Sequence, residues 1–301
     1  MKLIIIAILL IALCPTAFAQ DWQDTPVTAD AGEGMTWELQ EQVSDDFNYE
    51  APADNKGDQF FQKWKDSYHN HRKGPGLTVW DPAQVFVKDG KLQFFANRVP
   101  DTNKVYLGCI TSKQRVVYPV YVEARAKLAN STLASDVWML SPDDTQEIDI
   151  IEAYGASYSE GAGEDQTHFA ERLHLSHHVF IREPLQDYQP RDEGSWYADN
   201  GTLWREDFHT VGVHWKDPWN LDYYVDGKLV RSVSGEDIID PHGYTNGTGL
   251  NKPMDIIINM EDQDWRSDKG ITPTDNELKN QEDHTFRVDW IRVYKPVEAK
   301  R

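Results

Sequence analysis

The chain has 301 residues with 50 acidic against 30 basic side chains, a net charge of −20, and only two cysteines, Cys14 and Cys109. A field of that sign disfavours nucleic acid and anionic membrane as partners and makes a heavily sulfated polymer a poor ligand. Two cysteines exclude a disulfide framework, and at this length a hydrophobic core needs no covalent help.

The N-terminus reads as an export leader. Lys2 precedes eleven apolar residues from Leu3 to Leu13, and Ala17-Phe18-Ala19 supplies a small-x-small cleavage site, so 1–19 is expected to leave and the product to be secreted. The apolar run is too short to span a bilayer, which takes about 20 residues. Cys14 leaves with the leader, and Cys109, inside Val105-Tyr106-Leu107-Gly108-Cys109-Ile110, is expected in the core. Residues 20–44 are acidic and weakly patterned, which suggests a flexible segment ahead of one domain over 45–298.

Strand signals dominate that domain. Val85-Phe86-Val87 and Leu92-Gln93-Phe94-Phe95 flank Asp89-Gly90, and Tyr223-Tyr224-Val225 and Leu229-Val230 flank Asp226-Gly227. Both are hairpins with a tight turn that needs positive φ. Val120 to Leu128 alternates apolar and polar residues, the period of a strand with one buried face. Further strands are expected at 211–215, 254–260 and 286–294, and Thr274 with Glu277 forms a capping box for a short turn. Many short strands with almost no helix specify an all-β fold, a two-sheet antiparallel β-sandwich.

The chemistry sits in Glu147-Ile148-Asp149-Ile150-Ile151-Glu152. On a strand, Glu147 and Asp149 share one face while the isoleucines enter the core. Glu152 breaks the parity and would be buried, where an unpaired carboxylate is very costly. A β-bulge at Ile150-Ile151 returns it to the polar face. Folding has no use for three adjacent acids, whereas glycoside hydrolysis needs two carboxyls as nucleophile and proton donor, and a third acid can separate their proton affinities.

This hexapeptide resembles the ExDxxE signature of glycoside hydrolase family 16, and within it the chain looks most like the β-agarases. The resemblance runs from about Asp46 to Val297 and includes Gly74-Pro75-Gly76-Leu77-Thr78-Val79-Trp80, Ser135-Asp136-Val137-Trp138-Met139-Leu140, His174-Leu175-Ser176-His177-His178 and Val288-Asp289-Trp290-Ile291-Arg292-Val293-Tyr294. It implies a jelly roll with a glycan cleft on its concave face. It also implies Glu147 as nucleophile, Asp149 as assisting acid, Glu152 as general acid/base, and endo-cleavage of β-1,4 galactosidic links in agarose. Close relatives with the same three acids attack porphyran or carrageenan.

Eleven tryptophans exceed what a sandwich core needs, and aromatic faces stack on sugars. Trp80 and Trp138 are expected in the cleft and Trp290 in the core. By the resemblance His174 is a cleft histidine, while Arg182 and Glu261 are candidates to bind sugar hydroxyls. A metal cluster of His174, His177 and His178 lacks ligand spacing, and Asp262 and Asp264 form only half of a calcium loop. Family members often hold one structural Ca²⁺ with a last-strand aspartate and a turn-glycine carbonyl, which Asp289 and Gly90 match. No catalytic cofactor is implied, and the expected protein is a monomer whose partner is a polysaccharide. No basic cluster adjoins the acids in sequence, and only Arg98 and Arg182 offer themselves to a sulfate. Porphyran and mixed-linked glucan stand as alternative substrates, and a non-catalytic lectin as an alternative function that would have no use for the acids.

Overall fold

The computed structural model describes residues 25–300, so the expected leader lies outside the described residues. Two eight-stranded antiparallel sheets make up the sandwich. The outer sheet runs in the order 228–234, 220–225, 209–217, 120–127, 286–298, 91–94, 85–88, with Met35–Leu39 added alongside 286–298. The cleft sheet runs 185–188, 173–182, 146–153, 134–140, 254–261, 109–116, 64–65, with 196–197 added alongside 173–182. Among the described residues helix is confined to turns of a few residues and Gly57–Lys63.

The local signals were sound. Asp89 and Gly90 have φ of 53° and 68°, and Asp226 and Gly227 have 46° and 74°, so both expected turns have left-handed central residues. Thr274 and Glu277 cap each other, the Thr274 amide donating to Glu277 Oε2 at 2.7 Å and the Glu277 amide to Thr274 Oγ1 at 3.2 Å. Between the sheets lies one continuous apolar core that includes Phe47, Phe60, Trp64, Phe94 and Phe286, all fully buried. Each such side chain contributes roughly 1.5–3 kcal/mol through removal from water. Cys109 and Trp290 are both buried, as expected.

Two expectations change. Strand 120–127 is buried on both faces over its first half, with Tyr121 at 0 % and Glu123 at 2 % exposure. The cover comes from the segment expected to be flexible. Met35–Leu39 pairs with Leu39 opposite Tyr294, Trp37 packs on Tyr121, and Arg292 donates to the Thr25 carbonyl at 2.5 Å while pairing with Glu123. Residues 25–44 therefore belong to the sandwich, because the Glu123–Arg292 pair requires something to exclude water above it. Weak patterning reflected an edge strand with one solvated face.

Candidate active site

The strand Gln146–Ala153 carries the three acids. Its pairing shifts between Asp149 and Glu152 on one side, and between Val137 and Trp138 of the neighbouring strand on the other. Ile150 is thus the extra residue, Ile148, Ile150 and Ile151 all enter the core, and Glu147, Asp149 and Glu152 face one cleft of about 880 Å³. The bulge has the place and the consequence that the spacing demanded.

The adjoining strand Leu173–Arg182 supplies a matching row. Glu147 lies opposite His178, Asp149 opposite Ser176 and Glu152 opposite His174. His174 Nδ1 is 2.5 Å from Glu152 Oε2, and its ring stacks on Trp196 at 4.3 Å. The Tyr154 hydroxyl donates to Glu152 Oε1 at 2.7 Å. His178 Nε2 stands 3.9 Å from Glu147 and 3.7 Å from Asp149, and its Nδ1 is 2.8 Å from Asp187. His177 points the other way, into the core, where its Nε2 donates to the Ile239 carbonyl at 3.0 Å. Strand parity alone therefore separates it from its two neighbours and removes a three-histidine metal site.

Five carboxyls crowd this region. Burial and the adjacent Asp149 push Glu147 well above the usual carboxylate range, against the pull of His178. Asp149 is raised by burial and by Glu152, again opposed by His178. Burial followed by Glu152 and Asp149 pushes Glu261 up to about 8, and Asp136 is raised in the same way. Burial alone would raise Glu152 too, yet His174 and the hydrogen bonds from His174 and Tyr154 hold it at about 2. His178 runs opposite to a buried base: burial would lower it, but Glu147, Asp187 and Asp149 push it up to about 10. Acids that raise one another's proton affinity in this way do not all ionise together, so protons are shared among them and belong to the group.

The resemblance expects an ionised Glu147 and a protonated Glu152, the reverse of this order. The His174 contact is the cause and also the remedy. With Nδ1 protonated His174 donates to an ionised Glu152, and in the other tautomer it accepts from a protonated one. One 2.5 Å contact thus accommodates both protonation states of Glu152.

Trp80, Trp138, His174, Arg182 and Glu261 all line the cleft. Trp138 Nε1 donates to Asn259 Oδ1 at 2.7 Å, and Asn259 Nδ2 reaches Asp136 at 3.0 Å and Glu261 at 3.2 Å, so the indole is held by a network under the acids. Tyr68 stacks parallel to Trp80 at 6.0 Å and tilts toward Trp138 at 6.1 Å. Sequence reading missed Tyr68, Trp196, Trp265, Tyr154, His178 and Asp187. His178 was findable, since 174, 176 and 178 share a strand face; the others come from strand ends and loops with no short-range signal. Arg98 lies elsewhere, bound to Asp275 and to backbone carbonyls. Arg72, Lys73 and Arg191 join Arg182 at the cleft, so the expectation that only Arg98 and Arg182 could meet a sulfate is corrected: loops bring to the cleft cations that the sequence keeps apart.

Asp289 and Gly90 lie on the outer sheet, away from the cleft. The Asp289 carboxylate is paired with Arg125, and Lys91 lies 4.0 Å away. Calcium takes six to eight oxygen ligands, and here a guanidinium already neutralises the one carboxylate expected to anchor it. The residues present do not fit a calcium site.

A β-sandwich with a row of acids and aromatic rings lining one cleft on its face has the build of a polysaccharide-cleaving hydrolase. A family profile described as "Beta-porphyranase A-D, GH16 domain" matches residues 37–296. The chain is 62 % identical over 296 residues to beta-agarase B of Zobellia galactanivorans, covering 92 % of this chain and 83 % of that one. It is also 62 % identical over 289 residues to a beta-agarase of Phocaeicola plebeius, covering 91 % and 90 %. A crystal structure of an inactivated mutant beta-agarase B in complex with agaro-octaose superposes with a TM-score of 0.91 at 61 % identity, covering 93 % of this chain and 100 % of that one. The chain belongs to glycoside hydrolase family 16.

Proposed function

We propose that this protein is an endo-acting β-agarase that cuts β-1,4 galactosidic links with retention, using Glu147, Asp149 and Glu152. The observation that carries the reading is the row of three acids on one strand face, set in a cleft with aromatic rings on both flanking strands. Glu147 attacks the anomeric carbon while Glu152 gives its proton to the leaving oxygen. Glu152 then takes a proton from the water that hydrolyses the galactosyl ester. Asp149, between them, shares their protons and does not bond to the sugar. The identity to proteins named beta-agarases supports agarose as the polymer, and the leader-like 1–19 supports export.

A second reading, porphyran, is favoured by one observation: Arg72, Lys73, Arg182 and Arg191 at the cleft could take a sugar sulfate. Against it stand the acids, since each unscreened like-charge contact at about 4 Å costs about 1 kcal/mol even in bulk water. The deciding measurement is kcat/KM on agarose and on native and desulfated porphyran at two salt concentrations, with proton NMR of the first products. Agarose should be the best substrate, with little salt dependence and β-anomer formed first. Faster turnover of native than of desulfated porphyran would replace agarose by porphyran, and an initial α-anomer would exclude retention.

A further inference from the structure

Behind one end of the cleft Arg266 is buried, with 1 % of its surface exposed. Its Nη2 donates to Gln166 Oε1 at 3.1 Å, while Nε and Nη1 meet no acceptor. Among the described residues no carboxylate comes within ion-pair distance of it. Its guanidinium instead lies over aromatic faces, 4.2 Å from the centre of the Tyr154 ring, 4.8 Å from Phe169 and 5.2 Å from Trp265. Burying a cation without an anion is costly, and packing alone would be served as well by a methionine or leucine. The most closely apposed of the three rings is the one whose hydroxyl touches a catalytic acid: Tyr154 donates to Glu152 Oε1 at 2.7 Å.

We propose that Arg266 and Tyr154 form a relay of two positioning residues that sets the proton affinity of Glu152. The inference rests on Glu152 being the acid/base of the reaction above. A cation over the ring face stabilises negative charge on the phenol oxygen, so the O–H bond becomes more polar and the hydroxyl a stronger donor. A stronger donor on Oε1 favours the ionised carboxylate. Glu152 loses its proton to the leaving oxygen and is left as a carboxylate with Tyr154 on one oxygen and His174 on the other. It recovers a proton from the water that opens the ester. Tyr154 keeps its own proton throughout, because burial and the nearby Glu152 and Asp136 raise its hydroxyl well above the ordinary range.

Glu152 is faced from every side. Asp136 comes from strand 134–140, Asp149 and Tyr154 from its own strand or just beyond it, His174 and His178 from 173–182, Glu261 from 254–261, and Arg266 from the turn after it. Three carboxyls push its affinity for protons up, and the two histidines, Tyr154 and Arg266 push it down. Arg266 acts on Glu152 both directly by its charge and through Tyr154, an intermediary that carries none, and substitution at each position separates the two routes.

The test is the pH dependence of kcat/KM on neutral agarose oligosaccharides of one length, for wild type, Tyr154→Phe, Arg266→Gln, Arg266→Lys and the double variant. The alkaline limb reports the group that must be protonated. Tyr154→Phe should move it up by about one pH unit, Arg266→Gln by about half of that, and Arg266→Lys should restore it. Arg266→Gln should move the limb less once Tyr154 is Phe, since the hydrogen-bond route is then gone and only the direct charge effect remains. A limb that stays at the wild-type pH in Arg266→Gln while the melting temperature falls would overturn the relay and leave a packing role. If that variant does not fold, an unmoved limb in Tyr154→Phe, which loses a single oxygen, overturns the relay by itself. A wild-type protein inactive on every galactan overturns the functional reading; activity with unmoved limbs overturns the relay alone.

Discussion

Glu147, Asp149 and Glu152 differ less in their own chemistry than in what faces them. Glu147→Gln is isosteric and removes one of several mutually repelling carboxyls, so turnover should vanish while the melting temperature holds or rises. Full activity in a folded Glu147→Gln protein would sink the assignment. Glu152→Gln should cost about 10²–10⁴-fold in kcat/KM, the usual worth of a general acid/base. Asp149→Asn should be milder than Glu147→Gln, because Asp149 tunes its neighbours and does not bond to the sugar. Two adjacent histidines set opposite pH dependences of stability. His177, held near 3 by burial, stays neutral when folded but is protonated in the unfolded chain below about 6.5, so stability falls as pH drops from there toward 3. His178, raised to about 10, contributes stability that is full below about 6.5 and is lost as pH rises through 10. Denaturant midpoints across this range check both: His177→Gln should flatten the acid side and His178→Gln the alkaline side.

The bulge and the loop tethers decide whether those residues meet. Deleting Ile150 would restore regular pairing with Glu147, Asp149 and Glu152 alternating on the cleft face, but it would shorten the step from Asp149 to Glu152 and remove a fully buried side chain. Activity should fall because the carboxyl spacing changes, and stability should drop by about 2–5 kcal/mol through the lost core side chain. A deletion protein with wild-type midpoint and activity would show that the bulge does not set the spacing of the acids. The loop that carries Tyr68 and Arg72 is tied down by His69, whose Nε2 is 2.6 Å from Asp144 and Nδ1 3.1 Å from Asp255, both aspartates being buried. Asp144 also receives Asn70 at 2.7 Å and Arg72 at 3.0 Å. His69→Ala should loosen the Tyr68–Trp80 stack, which lines the cleft and, in the proposed reading, binds sugar and not the reacting bond. KM on agarose oligosaccharides should therefore rise several-fold more than kcat falls; an equal loss in both would place His69 closer to the chemistry.

Across the whole molecule the two sheets divide the work. The cleft sheet gathers acids and rings, whereas the outer sheet holds ion pairs, Glu123–Arg292 buried under residues 25–39 and Asp289–Arg125 with its guanidinium half-buried. With Arg125 already on Asp289, a chelator such as EDTA should leave the melting temperature unchanged. A fall reversed by added Ca²⁺ would show that the ion displaces the guanidinium. Truncation to residue 40 should expose Tyr121 and the Glu123–Arg292 pair and lower the denaturant midpoint, with kcat/KM little changed because the cleft lies on the other sheet.

Properties that depend on near neighbours in the chain could be read without the structure. Strand period, the Asp-Gly turns, the Thr274 cap and the parity break before Glu152 all act within a few residues, and together they determined the sandwich, the bulge and the three acids. Trp138 belonged to the same legible set, since it sits one strand from the acids across a short hairpin. The remainder required register and loop paths set by the packed core: His178 against Glu147, Tyr68 on Trp80, Arg266 over Tyr154, and Arg72 and Arg191 beside Arg182. Those neighbours come from separate elements, some more than a hundred positions apart as Arg266 and Tyr154 are, and their geometry comes from how the sheets stack. Burial likewise waited on the fold, because a carboxyl's proton affinity depends on the water and charges around it, which a linear pattern does not record.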